Sequence, residues 1–287
     1  MSLFPLQSTL RDAVEIEGIG LHSGTTVRMT VRPAQANSGI RFRRVDMAGA
    51  PEIAAHISAV VRTSLATTLS AGEAHVATVE HVLSALAGIG LDNAVIEVDS
   101  FEVPIMDGSV RPLVEALLTV GLDPQDAPRR VYRVEKPIRV GSDDRWIRVE
   151  PAEAMLVDLT LDYAHSSIGR QQFLYRHATD HYVTQIAPAR TFTTEQDLDA
   201  VRAAGFGLGG SLDNAIVATQ DGVANPEGLR FADEFARHKV LDVVGDFALI
   251  GGPIVGKITA YRSGHETNCL AVQALLDQQA GQWQSLV

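Results

Sequence analysis

The sequence predicts an α+β protein made of two similar βα domains related by a diverged duplication. Segments with the alternating polarity of half-buried strands lie at 27–34 and 146–152, one in each half. The similar tetrapeptides 61–64 (VRTS) and 189–192 (ARTF) follow them, and each precedes a helical segment that bears a histidine. Arg62 and His81 are 19 positions apart, whereas Arg190 and His238 are 48 apart. The difference predicts an insertion in the second domain.

A segment rich in proline and charge predicts the boundary between the two domains. Residues 123–130 carry two prolines and four charges, which is typical of an exposed linker. We therefore expect the first domain at 1–125 and the second at 129–287, with the insertion at 193–225. Chance similarity between short strand patterns is the alternative to a duplication, and the residues alone leave it open.

Two amphipathic helices are predicted, one in each half. Apolar residues at i, i+3, i+4 and i+7 indicate helices near 78–87 and 232–249. The first helix carries His81 and the second carries His238. If the two domains pack helix against helix, these two histidines come close together.

Composition and charge exclude several classes of protein. Of the 287 residues, 46% are hydrophobic and 21% are charged, as in a folded globular protein. The formal net charge of −11 disfavours nucleic acid as a partner, and a small anionic ligand would need a local cluster of Arg and Lys. The single cysteine, Cys269, excludes an intrachain disulfide and a cysteine-rich zinc site. With neither a signal-peptide pattern nor an apolar stretch near the ~20 residues of a membrane span, we expect a cytoplasmic protein.

The second predicted helix carries the pattern most typical of a metal site. His238 and Asp242 are four residues apart and project from one face, with Asp246 one turn later. A histidine and a carboxylate at this spacing can ligate zinc, although a solvated ion pair is the alternative. His81 would add a third ligand and leave one position open, as in catalytic zinc sites. Glu80 beside it could serve as a base, or could only favour a helix N-terminus.

Two glycine-containing segments complete the set of candidates. His265 lies in the sequence SGHE after a strand-like pattern at 258–261, a placement common for catalytic groups and also for surface histidines. The segment 205–211 (GFGLGGS) lacks the GK[ST] ending of a phosphate-binding loop. Its alternation of glycine with apolar residues favours the close-packed wall of an apolar channel.

These motifs resemble those of the zinc-dependent UDP-3-O-acyl-N-acetylglucosamine deacetylases of lipid A biosynthesis. The matching segments follow the family's order over nearly the whole chain: 18–24 (GIGLHSG), 78–81 (TVEH), 104–109 (PIMDGS), 189–192 (ARTF), 209–211 (GGS), 237–242 (RHKVLD) and 263–265 (SGH). The resemblance implies two βα domains whose helices are sandwiched between two sheets. It also implies that a βαβ insertion in the second domain forms a hydrophobic passage for a fatty acyl chain.

The resemblance further implies a metal ion and a set of catalytic residues. The ion is zinc, with Fe(2+) as a substitute, and its ligands are His81, His238 and Asp242. Glu80 would take a proton from the attacking water, and the Thr191 hydroxyl would help to stabilise the tetrahedral oxyanion. His265 would donate a proton to the leaving amine, oriented by Asp246. Whether Glu80 alone handles both proton transfers stays open.

The substrate implied by the resemblance is a UDP-activated, acylated amino sugar. Lys239 and Arg262 flank the catalytic motifs, and each could neutralise the diphosphate or remain a solvated surface charge. The further substrate contacts that we expect are Phe192 and, along the acyl passage, Leu21, Leu208, Gly210, Ala215 and Val217.

The leading hypothesis is therefore a monomeric, zinc-dependent amide hydrolase. One alternative is a metal-free phosphotransferase that uses the glycine-rich segment, although that segment lacks a phosphate-loop ending. The other is an acyl-sugar or sugar-nucleotide binding module without a catalytic metal. A binding module would explain an apolar insertion, but it would leave Glu80 and the His238–Asp242–Asp246 stripe without a role.

Overall fold

The predicted α+β class is confirmed by the computed structural model, which describes residues 5–178 and 181–286. The α-helices within these residues are α1 (Val79–Ile89), α2 (Arg111–Val120), α3 (Leu198–Ala203), α4 (Glu234–Ala248) and α5 (His265–Asp277). A 3₁₀ turn at Ile57–Ala59 and a π-helical turn at Tyr182–Ile186 accompany them. The strands are β1 (Leu6–Leu10), β2 (Val14–Ile19), β3 (Thr26–Pro33), β4 (Ile40–Arg44), β5 (Glu52–Ala54), β6 (Val60–Arg62), β7 (Thr68–Ala71), β8 (Ala74–Ala77), β9 (Ala94–Val98), β10 (Leu122–Pro128), β11 (Arg130–Val134), β12 (Ile138–Gly141), β13 (Trp146–Glu150), β14 (Leu156–Asp162), β15 (Arg170–Arg176), β16 (Phe192–Thr194), β17 (Ile216–Thr219), β18 (Gly222–Val223), β19 (Ile254–Val255), β20 (Lys257–Tyr261) and β21 (Gly281–Ser285).

Two five-stranded sheets have the same strand order and the same directions. The first runs β2-β3-β9-β4-β5 and the second runs β12-β13-β20-β14-β15. Each contains one parallel pair, β4 with β9 or β14 with β20, and its other neighbours are antiparallel. The strands predicted at 27–34 and 146–152 are β3 and β13, and they occupy the same position in the two sheets.

Helices α1 and α4 pack against each other in the interior. Every residue of α1 except Ala87 is buried, as expected for a helix covered on all sides. Helix α4 also packs on β14 and β15, and α5 packs on β12 and β13. Both predicted histidine helices are therefore confirmed, and their contact joins the two halves of the chain. Within the described residues, no helix combines the length and apolarity required to cross a membrane.

Glycine is needed where α4 crosses the start of α1. A Cβ atom at Gly245 would lie 2.0 Å from the backbone carbonyl oxygen of Glu80. The absence of a side chain at this position therefore lets α4 approach the turn of α1 that carries Glu80 and His81.

We expect Gly245→Ala to lower the free energy of unfolding by about 1–3 kcal/mol, the usual cost of overpacking a core. The added methyl group meets backbone rather than a flexible side chain, so the two helices must move apart. Denaturant unfolding of the parent and the variant measures the difference. An unchanged midpoint and slope would show that the helices can separate without cost.

Most of the segment expected to be an exposed linker is exposed, but it is largely a strand, so the expectation of a linker is wrong. Residues 122–128 form β10, which pairs with β1, and Arg129 is buried in an ion pair with Asp92, with 2.6 Å between Nη2 and Oδ2. The prolines Pro124 and Pro128 are tolerated because this sheet has only two strands, so a missing N–H breaks no interior ladder.

Candidate active site

Helices α1 and α4 bring together two histidines and an aspartate. The candidate ligand atoms of His81, His238 and Asp242 lie within 4.8 Å of one another, and all three side chains are buried. The His238 Nε2 and Asp242 Oδ1 atoms are 3.4 Å apart, because four residues make about one turn of helix. The His81 and His238 ring centroids are 5.2 Å apart.

Local contacts fix how these rings are presented. The Nδ1 atom of His238 lies 3.1 Å from the carbonyl oxygen of Ala189, to which its N–H donates. This hydrogen bond leaves the lone pair on Nε2, on the side of Asp242. Thr78, just before α1, has a left-handed backbone with φ of 61°, which turns the chain sharply into the helix that carries His81.

The protonation states suit a cation-binding site. Burial, helped by the nearby His238, lowers the pKa of His81 to about 3. Burial also lowers the pKa of His238, so both rings are neutral near pH 7. Burial alone would raise the pKa of Asp242, but Lys239 and His238 outweigh it and lower this pKa below its ordinary range. The Lys239 Nζ atom lies 2.9 Å from Asp242 Oδ2.

This donor set fits a divalent metal ion. Two neutral imidazoles and one carboxylate are ligands that zinc prefers, and three protein ligands leave a position open for substrate or water. Within residues 5–178 and 181–286, the buried Nδ1 atom of His81 has no hydrogen-bond partner. Such an orphaned atom is uncommon in a protein interior, and it fits a site that is completed by a bound ion.

A second cluster lies beside the first. The side-chain atoms of Glu80, Asp246 and His265 lie within 4.8 Å of one another. His265 donates from Nδ1 to Asp246 Oδ2 at 2.9 Å, and its Nε2 atom is 3.8 Å from Glu80 Oε1. The ring of His265 therefore lies between two carboxylates.

The two carboxylates shift the proton affinities in this cluster. Burial would lower the pKa of His265, but Asp246 and Glu80 outweigh it and raise this pKa to about 9. Burial raises the pKa of Glu80 to about 8 against the opposing charge of His265, with further upward contributions from Asp246 and Asp242. His265 is thus a cation near neutral pH, whereas Glu80 exchanges its proton near that pH. Such a pair can both accept and donate protons.

Both clusters open into one cavity of about 460 Å³. The predicted site residues that line it are Leu21, Glu80, His81, Thr191, Phe192, His238, Lys239, Asp242 and His265. Asp246 stands behind His265 and is fully buried. Inside the predicted insertion, Ala200 and Val201 of α3 and Ala204, the residue after this helix, contribute to the wall.

Five other predicted substrate contacts lie outside this lining, and their roles stay predictions. They are Leu208, Gly210, Ala215, Val217 and Arg262. Leu208 is 60% exposed, and Arg262, whose backbone N–H donates to the carbonyl oxygen of Thr160, is partly exposed.

The glycine-rich segment packs against the loop that follows β2. The N–H of Gly209 donates to the Leu21 carbonyl oxygen at 3.0 Å, and the N–H of Leu208 donates to the His22 carbonyl oxygen at 3.3 Å. A Cβ atom at Gly209 would lie 2.3 Å from the Gly20 carbonyl oxygen, so only glycine allows this approach. Because these N–H groups are already used, the segment does not form a phosphate cradle.

Sequence reasoning missed several residues around the cavity. His22 and Tyr163 line it, although neither was predicted as a site residue. The motif GIGLHSG pointed to His22 only as a family resemblance. Glu102, which is fully buried, accepts hydrogen bonds from the backbone N–H groups of His22 and Ser23 and so holds this motif. Nothing in the local sequence around Glu102 indicates this role.

Comparison with known proteins identifies the family. The model of the family described as "LpxC: UDP-3-O-acyl N-acetylglycosamine deacetylase" matches residues 7–277, almost the whole chain. The chain belongs to this family. The resemblance stated from the sequence motifs is thereby confirmed.

Several relatives of this chain share one name. A UDP-3-O-acyl-N-acetylglucosamine deacetylase of Anaeromyxobacter sp. (strain Fw109-5) is 45% identical, over 94% of this chain and 88% of that protein. Relatives with this name from Pseudoalteromonas atlantica and Xanthomonas oryzae pv. oryzae are 43% and 44% identical, over 96% and 97% of this chain and 91% and 93% of theirs. The similarity therefore spans both clusters of the candidate site.

Proposed function

We propose that this member of the deacetylase family hydrolyses the N-acetyl group of UDP-3-O-acyl-N-acetylglucosamine in a zinc-dependent reaction, an early step of lipid A biosynthesis. The observation that carries the proposal is the adjacency of two clusters on one cavity. One cluster is a metal-ligand set and the other is an acid–base set. Metal-assisted amide hydrolysis needs both: a cation to stabilise developing negative charge and positioned groups to move protons.

We propose His81, His238 and Asp242 as the ligands of the ion. Zinc bound there supplies Lewis-acid polarisation of the acetamide carbonyl and lowers the pKa of a water molecule. Lys239 and the Ala189 carbonyl oxygen contact two of the ligands and hold them in place. Fe(2+) could replace zinc, because the donors are nitrogen and oxygen.

Glu80 and His265 are the proposed acid–base pair. Glu80 takes one proton from the water molecule while the oxygen of the water bonds to the acetamide carbon. The carbon–nitrogen bond then breaks, and the leaving nitrogen receives a proton from His265 Nε2. The products are acetate and the free amine. The positive charge of His265 also stabilises the oxyanion, and we propose that Thr191, which lies on the cavity wall, donates a hydrogen bond to it.

The cavity wall suggests how the substrate is held. We propose that the acyl chain runs along the apolar side formed by Leu21, by Ala200 and Val201 of α3, and by Ala204 just after this helix. Lys239 is the proposed contact for the diphosphate from within the cavity. Arg262 does not line the cavity, so its side chain would have to reach the diphosphate from outside the cavity.

Three further proposals concern the whole chain. The identical strand order of the two five-stranded sheets supports a duplication, with domains at 1–125 and 129–287 and the βαβ insertion at 193–225. Strands β16 and β17, with α3 between them, run parallel within that insertion. The lone free thiol, the buried Cys269, supports a cytoplasmic location. We also propose that the chain acts as a monomer.

We expect Asp242→Ala to reduce metal affinity by at least about 10- to 100-fold, the effect of losing even an outer partner of a ligand. The matched control is Asp277→Ala, which removes an exposed aspartate at the end of α5. Metal content per chain, measured by mass spectrometry after purification without chelator, tests both variants. Full metal retention by the Asp242 variant would remove this residue from the ligand set and favour a binding module without a catalytic metal.

A further inference from the structure

Thr67 lies between the carboxylates of Glu80 and Asp246 and contacts both of them. It lies just before β7 and is fully buried. Its hydroxyl donates to Asp246 Oδ1 at 2.7 Å, and its backbone N–H donates to Glu80 Oε2 at 3.0 Å. Its carbonyl oxygen accepts from the N–H of Val79, the first residue of α1, at 3.3 Å. One residue of the first half thus contacts α1 and α4 at once.

The two carboxylate oxygen atoms of Asp246 accept different numbers of hydrogen bonds. Oδ2 accepts from His265 Nδ1 at 2.9 Å and from Asn268 Nδ2 at 2.8 Å. For Oδ1, the Thr67 hydroxyl is the hydrogen-bond donor found in the described part of the chain. A buried carboxylate oxygen without a donor is costly, so this hydroxyl bears directly on the charge and orientation of Asp246.

The contacts close a ring of four residues. Thr67 binds Asp246, Asp246 binds His265, the His265 Nε2 atom faces Glu80, and Glu80 binds the amide of Thr67. We propose that Thr67 is a positioning residue that clamps both carboxylates, so that His265 is held between them in the geometry for proton transfer. This inference rests on the proposed deacetylase function.

The hydroxyl also sets how strongly Asp246 attracts the proton of His265. A carboxylate that loses one donor is less satisfied and binds its remaining donors more tightly. Loss of the hydroxyl therefore raises the pKa of His265, and the ring keeps its proton to higher pH. The other titratable groups around this ring are His81 on α1, His238, Lys239 and Asp242 on α4, the thiol of Cys269 on α5, and His22 in the loop after β2.

Thr67→Val isolates this contribution. Valine has nearly the same shape and keeps the backbone N–H that binds Glu80, so only the hydroxyl is lost. Thr67→Ser restores a hydroxyl. The adjacent Thr68 provides a matched control, because it is also buried but its hydroxyl has no partner within the described residues. Thr68→Val therefore removes a buried hydroxyl without touching Asp246 or Glu80.

For the metal-loaded enzyme, we expect Thr67→Val to lower kcat by roughly 10- to 100-fold, as for loss of a hydrogen bond to a charged group. The basic limb of the kcat profile should move to higher pH, a change that a loss of stability alone would not produce. The kcat and the basic limb of Thr67→Ser should stay close to those of the parent, and so should those of Thr68→Val. Nuclear magnetic resonance provides a readout without turnover: the ring nitrogens of His265 should titrate at higher pH in Thr67→Val.

Equal kcat and equal basic limbs for Thr67→Val and Thr68→Val would overturn the proposal. If Thr67→Val does not fold, Thr67→Ala and Thr67→Ser make the same comparison, and equal values for these two variants would overturn it as well. A parent enzyme without deacetylase activity would contradict the proposed function instead. In that case, the titration of His265 would still show whether the Thr67 hydroxyl controls the pKa of this ring through Asp246.

Discussion

Glu80→Gln should lower kcat by roughly 10²- to 10⁴-fold, the usual contribution of a positioned acid–base group. Glutamine has the same shape and can still accept the N–H of Thr67, but its amide cannot take a proton from water. Since Glu80 belongs to the second cluster and not to the metal-ligand set, metal content should stay at the parent level. The measurement combines steady-state turnover with metal analysis of the same preparation.

Glu73→Gln is the matched control for this substitution. Glu73 is exposed, in the turn between β7 and β8, and the same chemical change there should leave turnover unaltered. Parent-like activity of Glu80→Gln would refute its role as the base. A variant that lost its metal together with its activity would instead place Glu80 among the residues that organise the metal site.

Asp246→Asn is expected to lower kcat by on the order of 10²-fold or more and to move the basic limb of the profile to lower pH. Asp246 and Glu80 outweigh burial and raise the pKa of His265 to about 9, so the ring holds its proton to well above neutral pH. His265 acts as an acid only while protonated, so activity falls as pH rises through this pKa. Removing the charge of Asp246 lowers the pKa, and the fall begins earlier.

An asparagine also disturbs the tautomer of the ring, because its amide can donate where the carboxylate only accepts. Asp158→Asn is the matched control, since Asp158 pairs with Lys257 on β20, at 3.2 Å between Oδ2 and Nζ, and does not line the cavity. A basic limb that stays in place in Asp246→Asn would count against the pairing of Asp246 with His265.

The cluster of candidate metal ligands could be predicted from the sequence because its pattern is local. The spacing of His238 and Asp242 needs only a helix to bring the two side chains to one face, and the apolar periodicity indicates that helix. His81 required one further assumption, that the two histidine helices pack together, and the contact of α1 with α4 bears this out.

Features that depend on tertiary contact could not be predicted. Thr67 lies 179 positions from Asp246 in the chain, and no periodicity connects them. Glu102 holds the loop that contains His22 through backbone N–H groups, which carry no sequence signal. The prolines in β10 suggested a linker because proline usually interrupts strands, although a two-stranded sheet tolerates them.

The sequence predicted only part of the apolar wall of the cavity. The glycines of 205–211 indicated close packing, and Gly209 does pack closely, against the Gly20 carbonyl oxygen. The side chains that line the cavity from the insertion come mainly from α3 and the strand before it. Helix α3 spans only Leu198–Ala203 and has no buried residue, so its apolar face is too short to stand out as a periodic pattern.

Acetate release is the most direct test of the central claim. Metal-loaded protein is incubated with UDP-3-O-acyl-N-acetylglucosamine, and acetate and free amine are both quantified, before and after removal of the metal by a chelator. We predict equal amounts of the two products, loss of release with the chelator, and recovery when zinc is returned. Folded, metal-loaded protein that binds this substrate but releases no acetate would contradict the account.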